Sequence, residues 1–409
     1  MEKRRKKKIL LVINTMGQAG AEMALIELIK KLESMNEFKV YLYSIIPCGE
    51  LFDRALAIIP DRILNKRYYN YSLNSLKGRL VILKTLIYSF FNKFTGFRLF
   101  PYMIKNIKYQ RKKVNKLQYD KLLWRLLAEG GPDINQKFDL AVSYIEGGAA
   151  YYVADRVKAK SKAAFIHIDY KEAGYRPFMD KACYDKMSRI YVVSNEVGKE
   201  FGKIYPMHRD KIRLFRNLLD RDLIIKKAKS GEGFKDDFNG IRLVTVGRLH
   251  YQKGYDIAIK ALNILINEGL NIRWYIIGDG LLRSTLEEDI KEYKLEDRFI
   301  LLGKKDNPYP YIQEANIYVH ATRFEGKSIA IEEAQILGKA ILASNCTGNR
   351  EQIISEFDGK LFDLNEENLA KEIKELINNK DIIKSYEKNV KLKKLDFPED
   401  LEDMLGLLK

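Results

Sequence analysis

The stretch NIYVHATRFEGKSIAIEEAQILG, residues 316–338, decides the fold class. Its apolar start, Ile317–His320, has the length of a buried strand, and a polar loop that pivots on Gly326 follows it. From residue 328 to residue 337 apolar side chains recur at helical spacing. A strand, a loop and a helix in this order predict one unit of a parallel sheet, in which ligands collect where the strand ends and the helix begins.

Two carboxylates of this stretch, Glu325 and Glu333, are eight positions apart. Glu325 lies in the loop, where it can face the reacting end of a ligand. Glu333 lies about a turn and a half into the predicted helix, where a carboxylate can accept hydrogen bonds from a vicinal diol. The alternative is one ordinary loop carboxylate and one solvated helix carboxylate. Motifs elsewhere in the chain favour the ligand-binding interpretation.

The same alternation of strands and helices runs through the chain, which can form more than one core because 46% of its 409 residues are hydrophobic. We predict an α/β protein with two doubly wound domains. The first is residues 1–222, with a basic and aromatic insertion at 66–128. The second is residues 223–384, and a helical segment at 385–409 returns to the first. A Gly-, Lys- and Asp-rich stretch at 226–240 is typical of a linker.

A glycine turn with Gly17 and Gly20 follows the first predicted strand. Glycine lets a backbone approach a ligand closely, and the helix that begins here can receive a phosphate or sugar oxygen. The spacing is not GxGxxG, so it does not predict a nicotinamide dinucleotide site. Farther along, His167 lies near the end of a predicted strand, where a doubly wound sheet would open onto an interdomain cleft. A satisfied structural histidine is the alternative.

A second glycine turn opens the second domain. Gly247 follows its first predicted strand, and the cations Arg248 and Lys253 flank the start of the next helix. Two fixed cations above a helix amino terminus would bind a diphosphate, and would stabilise it further as it gained charge on leaving. Two surface cations are the alternative. Gly278 and Gly280 follow the next strand in the same manner.

Most of the net charge of +17 lies in two segments. Residues 1–8 carry +5 and residues 66–125 carry +14, which leaves −2 for the rest of the chain. Aromatic side chains are interleaved with the cations of the second segment, and its apolar runs are shorter than the ~20 residues that span a bilayer. This composition is typical of a segment that lies on a membrane.

We expect this segment to bind an anionic membrane surface through a patch of Lys84, Lys93, Arg98, Arg111 and Lys112. A solvated basic face over an ordinary helical subdomain is one alternative. Nucleic acid is another, and the lack of a recognised nucleic-acid module in the sequence disfavours it.

Three cysteines, Cys48, Cys183 and Cys346, form no CxxC pair. They favour a reducing compartment, and neither a disulfide framework nor a zinc site is predicted. The basic start is followed by an apolar segment of only strand length, which is not typical of a signal peptide. We therefore expect a cytoplasmic protein. Asp220 and Asp222 form a DxD pair, which we assign to the interdomain connection and not to a metal site.

Four motifs together resemble those of one family: GAE after the first glycine turn, VGRLHYQKGYDIAIKAL, IIGDG and EGKSIAIEEAQILGKAILAS. Their R-x4-K and E-x7-E spacings are similar to those of the retaining glycosyltransferases of family 4. The resemblance runs from about residue 9 to about residue 376 and is weakest in the insertion. It implies the GT-B fold, in which two Rossmann-like domains face a central cleft.

The resemblance also implies a role for each motif. Glu333 would hold the ribose hydroxyls, and Arg248 and Lys253 the diphosphate. Glu325 would hold the donor sugar, and His167 would point at that sugar and at the acceptor. The implied catalytic residues are Glu325, His167, Arg248 and Lys253. The implied donor-binding residues are Gly17, Gly20, Gly247, Arg248, Lys253, Gly278, Gly280, Gly326, Lys327, Ser328, Ile329 and Glu333.

The implied activity is the transfer of a sugar, with retention, from a nucleotide sugar to an oligosaccharide or lipid-linked saccharide. Such an enzyme would build a capsular or other surface polysaccharide, or a glycolipid. The cations make a metal or other cofactor unnecessary, and the basic patch suggests a peripheral protein on the inner face of the cell membrane. A non-catalytic glycosyltransferase-like subunit that stabilises an active enzyme is the main alternative, and a sugar phosphate phosphorylase on the same fold is a lesser one.

Overall fold

The computed structural model describes residues 5–104, 119–168, 170, 177–180 and 182–409. The chain divides into two compact units. The first is Met1–Leu218 together with Phe397–Lys409, and the second is Leu219–Asp396. Each unit is built on a parallel sheet of six strands with helices between the strands, so the predicted α/β class with two Rossmann-like units is confirmed.

The sheet of the first unit has the strand order β2-β1-β3-β4-β5-β6. Its strands are β1 (Lys7–Ile13), β2 (Phe38–Ser44), β3 (Lys137–Ser143), β4 (Lys158–Ile166), β5 (Arg189–Val192) and β6 (Ile212–Leu214). The α-helices of this unit are Gly20–Ser34, Phe52–Ile58, Leu76–Phe91, Thr95–Arg98, Tyr119–Glu129, Gly148–Arg156, Pro177–Asp180, Asn195–Ile204 and Pro398–Gly406, and residues 100–104 are also helical.

The sheet of the second unit has the strand order β12-β11-β10-β7-β8-β9. Its strands are β7 (Ile241–Val246), β8 (Ile272–Ile277), β9 (Phe299–Gly303), β10 (Ile317–His320), β11 (Ile341–Ser344) and β12 (Lys360–Phe362). Its α-helices are Arg221–Ser230, Tyr255–Asn267, Arg283–Glu292, Tyr309–Glu314, Ile329–Ile336, Thr347–Gln352, Glu366–Asn378 and Lys380–Val390.

The second sheet is buried on both faces. Along β10, Ile317 and Val319 pack into one hydrophobic cluster, while Tyr318 packs into the other. Successive side chains of a strand point to opposite faces of the sheet, so helices cover both faces. This explains why the central strands are continuous apolar runs, without the alternation of a half-exposed strand.

The helix Pro398–Gly406 is part of the first unit, although its sequence follows the whole second unit. Arg216 binds Asp400 through two side-chain nitrogens, at 2.7 and 2.8 Å, and its guanidinium lies 3.5 Å from the centre of the Phe397 ring. The hydroxyl of Tyr191 donates to Asp403 at 2.8 Å. Within the segment 385–409, the residues before Phe397 group with the second unit.

The prediction of a linker at 226–240 was partly wrong, because the helix Arg221–Ser230 covers its beginning. Asp220 is the amino-terminal cap of this helix, since one of its carboxylate oxygens accepts a hydrogen bond from the backbone N–H of Leu223 at 2.9 Å. The cap gives the first aspartate of the DxD pair a structural role.

From Leu76 onward the described part of the insertion is mostly helical, and two of its cations, Lys121 and Arg125, are buried. Lys121 binds Asp180 at 2.8 Å, and both side chains are almost fully buried. The guanidinium of Arg125 stacks 3.7 Å from the centre of the Tyr151 ring. These two cations therefore hold the helix Tyr119–Glu129 in place and do not contribute to a surface patch. In the part of the chain that the structure describes, no helix has the length and apolar character needed to cross a bilayer.

We predict that Arg216→Ala loosens the helix Pro398–Gly406, because it leaves the buried Asp400 carboxylate without its cation. Hydrogen exchange of the helix amides should become about 10- to 100-fold faster. The exposed Arg213, whose side chain donates to the nearby carbonyls of Asp210 and Ile212, offers a control in Arg213→Ala. Equal exchange in both variants would contradict this prediction.

Candidate active site

The second sheet changes direction between β7 and β10. From β7 the chain adds β8 and β9 on one side, then crosses back to add β10, β11 and β12 on the other. β7 and β10 pair in parallel, with Ile317 opposite Leu243 and Tyr318 opposite Val244. The loops that follow these two strands therefore emerge side by side. A crevice at such a reversal of strand order is the usual ligand site of an open parallel sheet.

The loop after β10 is fixed by hydrogen bonds to both of its neighbours. On one side, the backbone N–H of Arg323 donates to the carbonyl of Gln252 at 2.7 Å, and the side-chain amide of Gln252 donates to the carbonyl of Phe324 at 2.8 Å. On the other side, the backbone N–H of Ser328 donates to the side-chain oxygen of Gln352 at 2.7 Å. The loop that carries Glu325 is thus held at both of its ends.

Glu325 and Lys253 form an ion pair in this crevice, with Nζ 2.5 Å from Oε2 and both side chains largely buried. His320 Nε2, at the end of β10, lies 3.6 Å from the same oxygen. Burial alone would raise the pKa of Glu325, but the attraction of Lys253 and the contact with His320 outweigh it and lower the pKa to about 2. Glu325 is therefore an ionised carboxylate throughout the physiological pH range.

Arg248 has a different environment from Lys253. It is exposed, and no carboxylate pairs with it among the residues that the structure describes. Of the two cations expected to bind a diphosphate, Lys253 is thus neutralised by Glu325, while Arg248 is open to solvent. The charge of Arg248 also lowers the pKa of the neighbouring His250, after the larger effect of burial.

Glu333 lies on the helix Ile329–Ile336 and accepts a hydrogen bond from the hydroxyl of Tyr309 at 2.9 Å. Burial raises the pKa of Glu333 to about 7, and the charge of Glu332 raises it further, against the opposing effect of the Tyr309 hydrogen bond. The two acids of the E-x7-E motif are therefore in contrasting electrostatic environments.

Residues between Glu325 and Glu333 also form contacts within the protein. Lys327 forms a buried ion pair with Glu332, with Nζ 2.6 Å from Oε1. The backbone N–H of Ser328 is occupied by Gln352, so it is not free for a ligand. Ile329 begins the helix, and the side chain of Ser328 does not cap it. The first turn of this helix therefore keeps N–H groups that a ligand could use.

Glycines in the loops after β7 and β8 allow backbone to pack closely against backbone. A Cβ atom on Gly278 would lie 1.9 Å from the carbonyl oxygen of Gly247, and one on Gly280 would lie 2.4 Å from that of Leu249. A Cβ atom on Gly254, whose φ is +62°, would lie 2.2 Å from the carbonyl oxygen of Ala321. Glycine is thus required here to bring the loops of neighbouring strands together.

The first sheet has a similar reversal between β1 and β3. Asn14, directly after β1, donates to the carbonyl of Glu146 at 3.1 Å and accepts from the backbone N–H of Ala149 at 2.8 Å. The carboxylate of Glu146, after β3, accepts from the backbone N–H of His167 at 2.9 Å. The structure therefore brings the ends of β1, β3 and β4 together around one buried carboxylate.

The His167 ring is largely buried and lies near Tyr144, with ring centres 5.2 Å apart. Burial lowers the pKa of His167 to about 4, although a hydrogen bond with the backbone of Tyr144 opposes this shift. The ring is thus neutral at physiological pH. Its Nε2 has no hydrogen-bond partner among the residues that the structure describes. Gly17 and Gly20 lie in the turn after β1, and Gly20 begins the helix Gly20–Ser34.

Five residues of these two sites were not singled out from the sequence: Asn14, Glu146, Tyr309, His320 and Gln352. Asn14 and His320 lie at strand ends, so the strand pattern could have indicated them. Tyr309 and Gln352 are each 24 residues away in the chain from the group they contact, and no local spacing connects them.

In the part of the chain that the structure describes, no group of three or more His, Cys, Asp or Glu side chains is arranged to hold a metal ion.

Residues 229–393 match the family model for glycosyl transferases group 1. The second unit carries a group 1 glycosyltransferase domain. The E-x7-E and R-x4-K motifs both lie within the matched residues, so the glycosyltransferase resemblance drawn from them is confirmed. Membership of family 4 in particular stays a prediction.

Two curated relatives are also glycosyltransferases. One, from Campylobacter jejuni, is an N-acetylgalactosamine-N,N'-diacetylbacillosaminyl-diphospho-undecaprenol 4-alpha-N-acetylgalactosaminyltransferase, 26% identical over 52% of this chain and 57% of its own length. The other, from Escherichia coli, is a UDP-Gal:alpha-D-GlcNAc-diphosphoundecaprenol alpha-1,3-galactosyltransferase, 29% identical over 38% of this chain and 42% of its own length. The chain thus spans about half the length of these relatives.

Among solved structures, the Anabaena protein Alr3699/HepE in complex with UDP and glucose has a TM-score of 0.70. The match covers 98% of this chain and 99% of that protein, at 16% identity. At this identity the similarity shows the fold alone. It confirms the GT-B fold that we expected for this chain.

We predict that Gly278→Ala strongly destabilises the glycosyltransferase domain, because the new methyl group would collide with the carbonyl of Gly247. The free energy of unfolding should fall by at least about 3 kcal/mol. Gly269→Ala is the control, since a Cβ there meets nothing within 4 Å and only its φ of +82° is unfavourable, with a cost of about 1–2 kcal/mol. Urea unfolding can be followed by the fluorescence of the buried Trp274, with Trp124 replaced by Phe in both variants.

Proposed function

We propose that this protein is a retaining glycosyltransferase that moves a sugar from a uridine diphosphate sugar to a lipid-linked saccharide. The observation that carries the proposal is the crevice between β7 and β10. It brings Arg248, the Lys253–Glu325 pair and the helix that carries Glu333 to one edge of one sheet. These groups match a diphosphate, a sugar and a ribose in chemistry.

In this mechanism Arg248 and Lys253 bind the diphosphate. The bond between the anomeric carbon of the donor sugar and the phosphate oxygen breaks, and an acceptor hydroxyl forms a new bond to that carbon on the same face. The hydroxyl proton passes to the departing phosphate oxygen. Negative charge grows on the diphosphate during this step, so two fixed cations stabilise the transition state more than the ground state.

Glu325 has two functions in this proposal. Its carboxylate holds Lys253 in the crevice, and its ionised oxygens accept hydrogen bonds from the hydroxyls of the donor sugar. The low pKa of Glu325 makes its carboxylate a weak base that accepts the acceptor proton poorly, so this proton has to leave by another route. The departing phosphate is the base that supplies this route. In the first unit, Nε2 of the neutral His167, which has no partner within the described part of the chain, would accept a hydrogen bond from a substrate hydroxyl.

The acceptor class comes from the two curated relatives, which are named for diphospho-undecaprenol acceptors and for alpha linkages. These names support a polyprenyl diphosphate saccharide as acceptor and an α-linked product. The sugar of a nucleotide hexose is commonly α-linked. An α-linked product would therefore keep the anomeric configuration of the donor, which is the outcome called retention. Assembly of a surface polysaccharide, such as a capsule, is the pathway class that consumes such a product. Because the two cations supply the positive charge, we expect turnover to persist in a chelator.

The first test is turnover with a panel of uridine diphosphate sugars and polyprenyl diphosphate acceptors. Glu325→Gln should lower turnover by about a hundredfold or more, because the charge that organises Lys253 is lost. The affinity for UDP should change little. The exposed Glu367 on another helix of the second unit offers a control in Glu367→Gln. If none of the donors in the panel is turned over, the result would instead favour a non-catalytic subunit.

The second test uses the pKa of Glu333. The folded pKa of about 7 is above the ordinary value, so the carboxyl is largely protonated below pH 7 and ionised above it. A protonated carboxyl accepts the ribose hydroxyls poorly. The affinity for UDP should therefore fall about tenfold from about pH 8 to about pH 6. Calorimetry of the wild type and of Glu333→Gln separates this effect from protonation of the nucleotide, because the variant keeps only the latter. The same slope in both proteins would contradict the role of Glu333.

A further inference from the structure

The helix Leu76–Phe91 has an apolar stripe on the side that faces solvent. Leu76, Leu80, Leu83 and Ile87 recur at helical spacing and are 80%, 54%, 51% and 51% exposed. The opposite side of the helix supplies its buried residues. A stripe of this spacing is normally the buried side of a surface helix, so its exposure marks an interaction surface.

Three aromatic side chains are exposed at the end of this helix and just after it, and we call Phe91, Phe94 and Phe97 the aromatic corner. Phe91, Phe94 and Phe97 are 67%, 72% and 63% exposed. Lys93 and Phe94 have φ values of +57° and +55°, in the left-handed region that favours glycine. Two successive residues in this unfavourable conformation turn the chain so that large apolar rings project into solvent. Backbone strain of this kind is characteristic of functional sites.

The charged side chains of residues 66–104, the segment that contains this helix and the aromatic corner, are all cations. Residues 66–104 contain seven cations and no Asp or Glu, and the cations are Lys66, Arg67, Lys77, Arg79, Lys84, Lys93 and Arg98. With about 100° per residue along a helix, Lys77 and Lys84 border the apolar stripe on one side and Arg79 borders it on the other. The stripe therefore has positive charge on both of its sides.

We propose that the helix Leu76–Phe91 and the aromatic corner bind the surface of an anionic lipid bilayer. The helix would lie in the plane of the interface, with the apolar stripe and the aromatic rings at the acyl boundary and the flanking cations at the lipid phosphates. A symmetric contact with a second copy of this chain would place the cations of one segment against those of the other, with no carboxylate in the segment to offset them. Charge complementarity thus selects the lipid surface.

This surface differs from the one expected from the sequence. Arg111 and Lys112 lie outside the described residues, and Lys93 is paired with Asp133 at 2.5 Å. Of the expected patch, Lys84 borders the apolar stripe and Arg98 lies beside the aromatic corner. The apolar stripe and the corner replace a purely basic patch as the main contact. This inference does not rest on the proposed glycosyl transfer.

The experiment is flotation of the full chain with vesicles, without nucleotide. One set of vesicles is phosphatidylcholine alone, and the other also contains phosphatidylglycerol. The wild type should float with the anionic vesicles only. The stripe variant Leu80→Gln/Leu83→Gln/Ile87→Gln and the charge variant Lys77→Glu/Arg79→Glu/Lys84→Glu should each bind at least about tenfold more weakly. All six side chains are exposed, so both variants should fold.

Matched controls come from the second unit. Leu281→Gln/Ile354→Gln/Leu392→Gln removes three exposed apolar side chains, and Lys291→Glu/Lys371→Glu/Lys388→Glu makes the same change of net charge as the charge variant. Both controls should bind like the wild type. Phe94→Trp reports the depth of the corner, and its fluorescence should shift to the blue on anionic vesicles.

Three results would overturn the proposal. The first is a wild type that floats with neither set of vesicles. The second is an equal loss of binding in the charge variant and its control, which would show attraction by net charge alone. The third is a wild type that forms dimers which the stripe variant does not form, because the stripe would then bind a second copy. No nucleotide is present, so none of these results bears on donor binding or turnover.

Discussion

Parallel strands that are added first on one side of a starting strand and then on the other leave a crevice where the two directions meet. Both sheets of this protein have one such place, between β1 and β3 in the first unit and between β7 and β10 in the second. The side chains of the two candidate sites lie at these two places. Asn14, Glu146 and His167 are at the first, and Lys253 and Glu325 are at the second.

At the second crevice, two glutamate side chains have different pKa values because their surroundings differ. Beside Lys253, the pKa of Glu325 falls to about 2, whereas burial beside the uncharged hydroxyl of Tyr309 raises the pKa of Glu333 to about 7. One carboxylate is permanently charged and the other is close to its midpoint at neutral pH. A single sequence motif thus supplies a fixed anion and a titratable one.

The elements of the fold could be predicted because the decisive signals are local. The strand and helix periods and the cluster of motifs around Glu325 indicated the two α/β units and the place of the second crevice. The partners of the site residues could not be predicted, because they are distant in sequence. Gln352 and Tyr309 reach the site through packing of separate helices. The glycines after β8 show a further limit: Gly278 meets a backbone carbonyl, a contact that only the pairing of strands creates.

The sequence predicted the net charge of the insertion, but not which of its charged side chains lie at the surface. Counting charges over residues 66–125 included Lys121 and Arg125 in the same basic segment as Lys84, because composition does not distinguish a solvated cation from a buried one. The spacing of Leu76, Leu80, Leu83 and Ile87 indicates a stripe but not the direction that it faces. That direction depends on which side of the helix the first unit covers.

The position of the helix Pro398–Gly406 has a consequence for biosynthesis. The chain leaves the ribosome from its amino terminus, so residues 5–218 emerge well before the helix that Arg216 and Tyr191 hold. The whole second unit, Leu219–Asp396, is translated in between. The first unit therefore begins to emerge earlier and is completed later than the second, and the surface that this helix covers stays open until the last residues are translated.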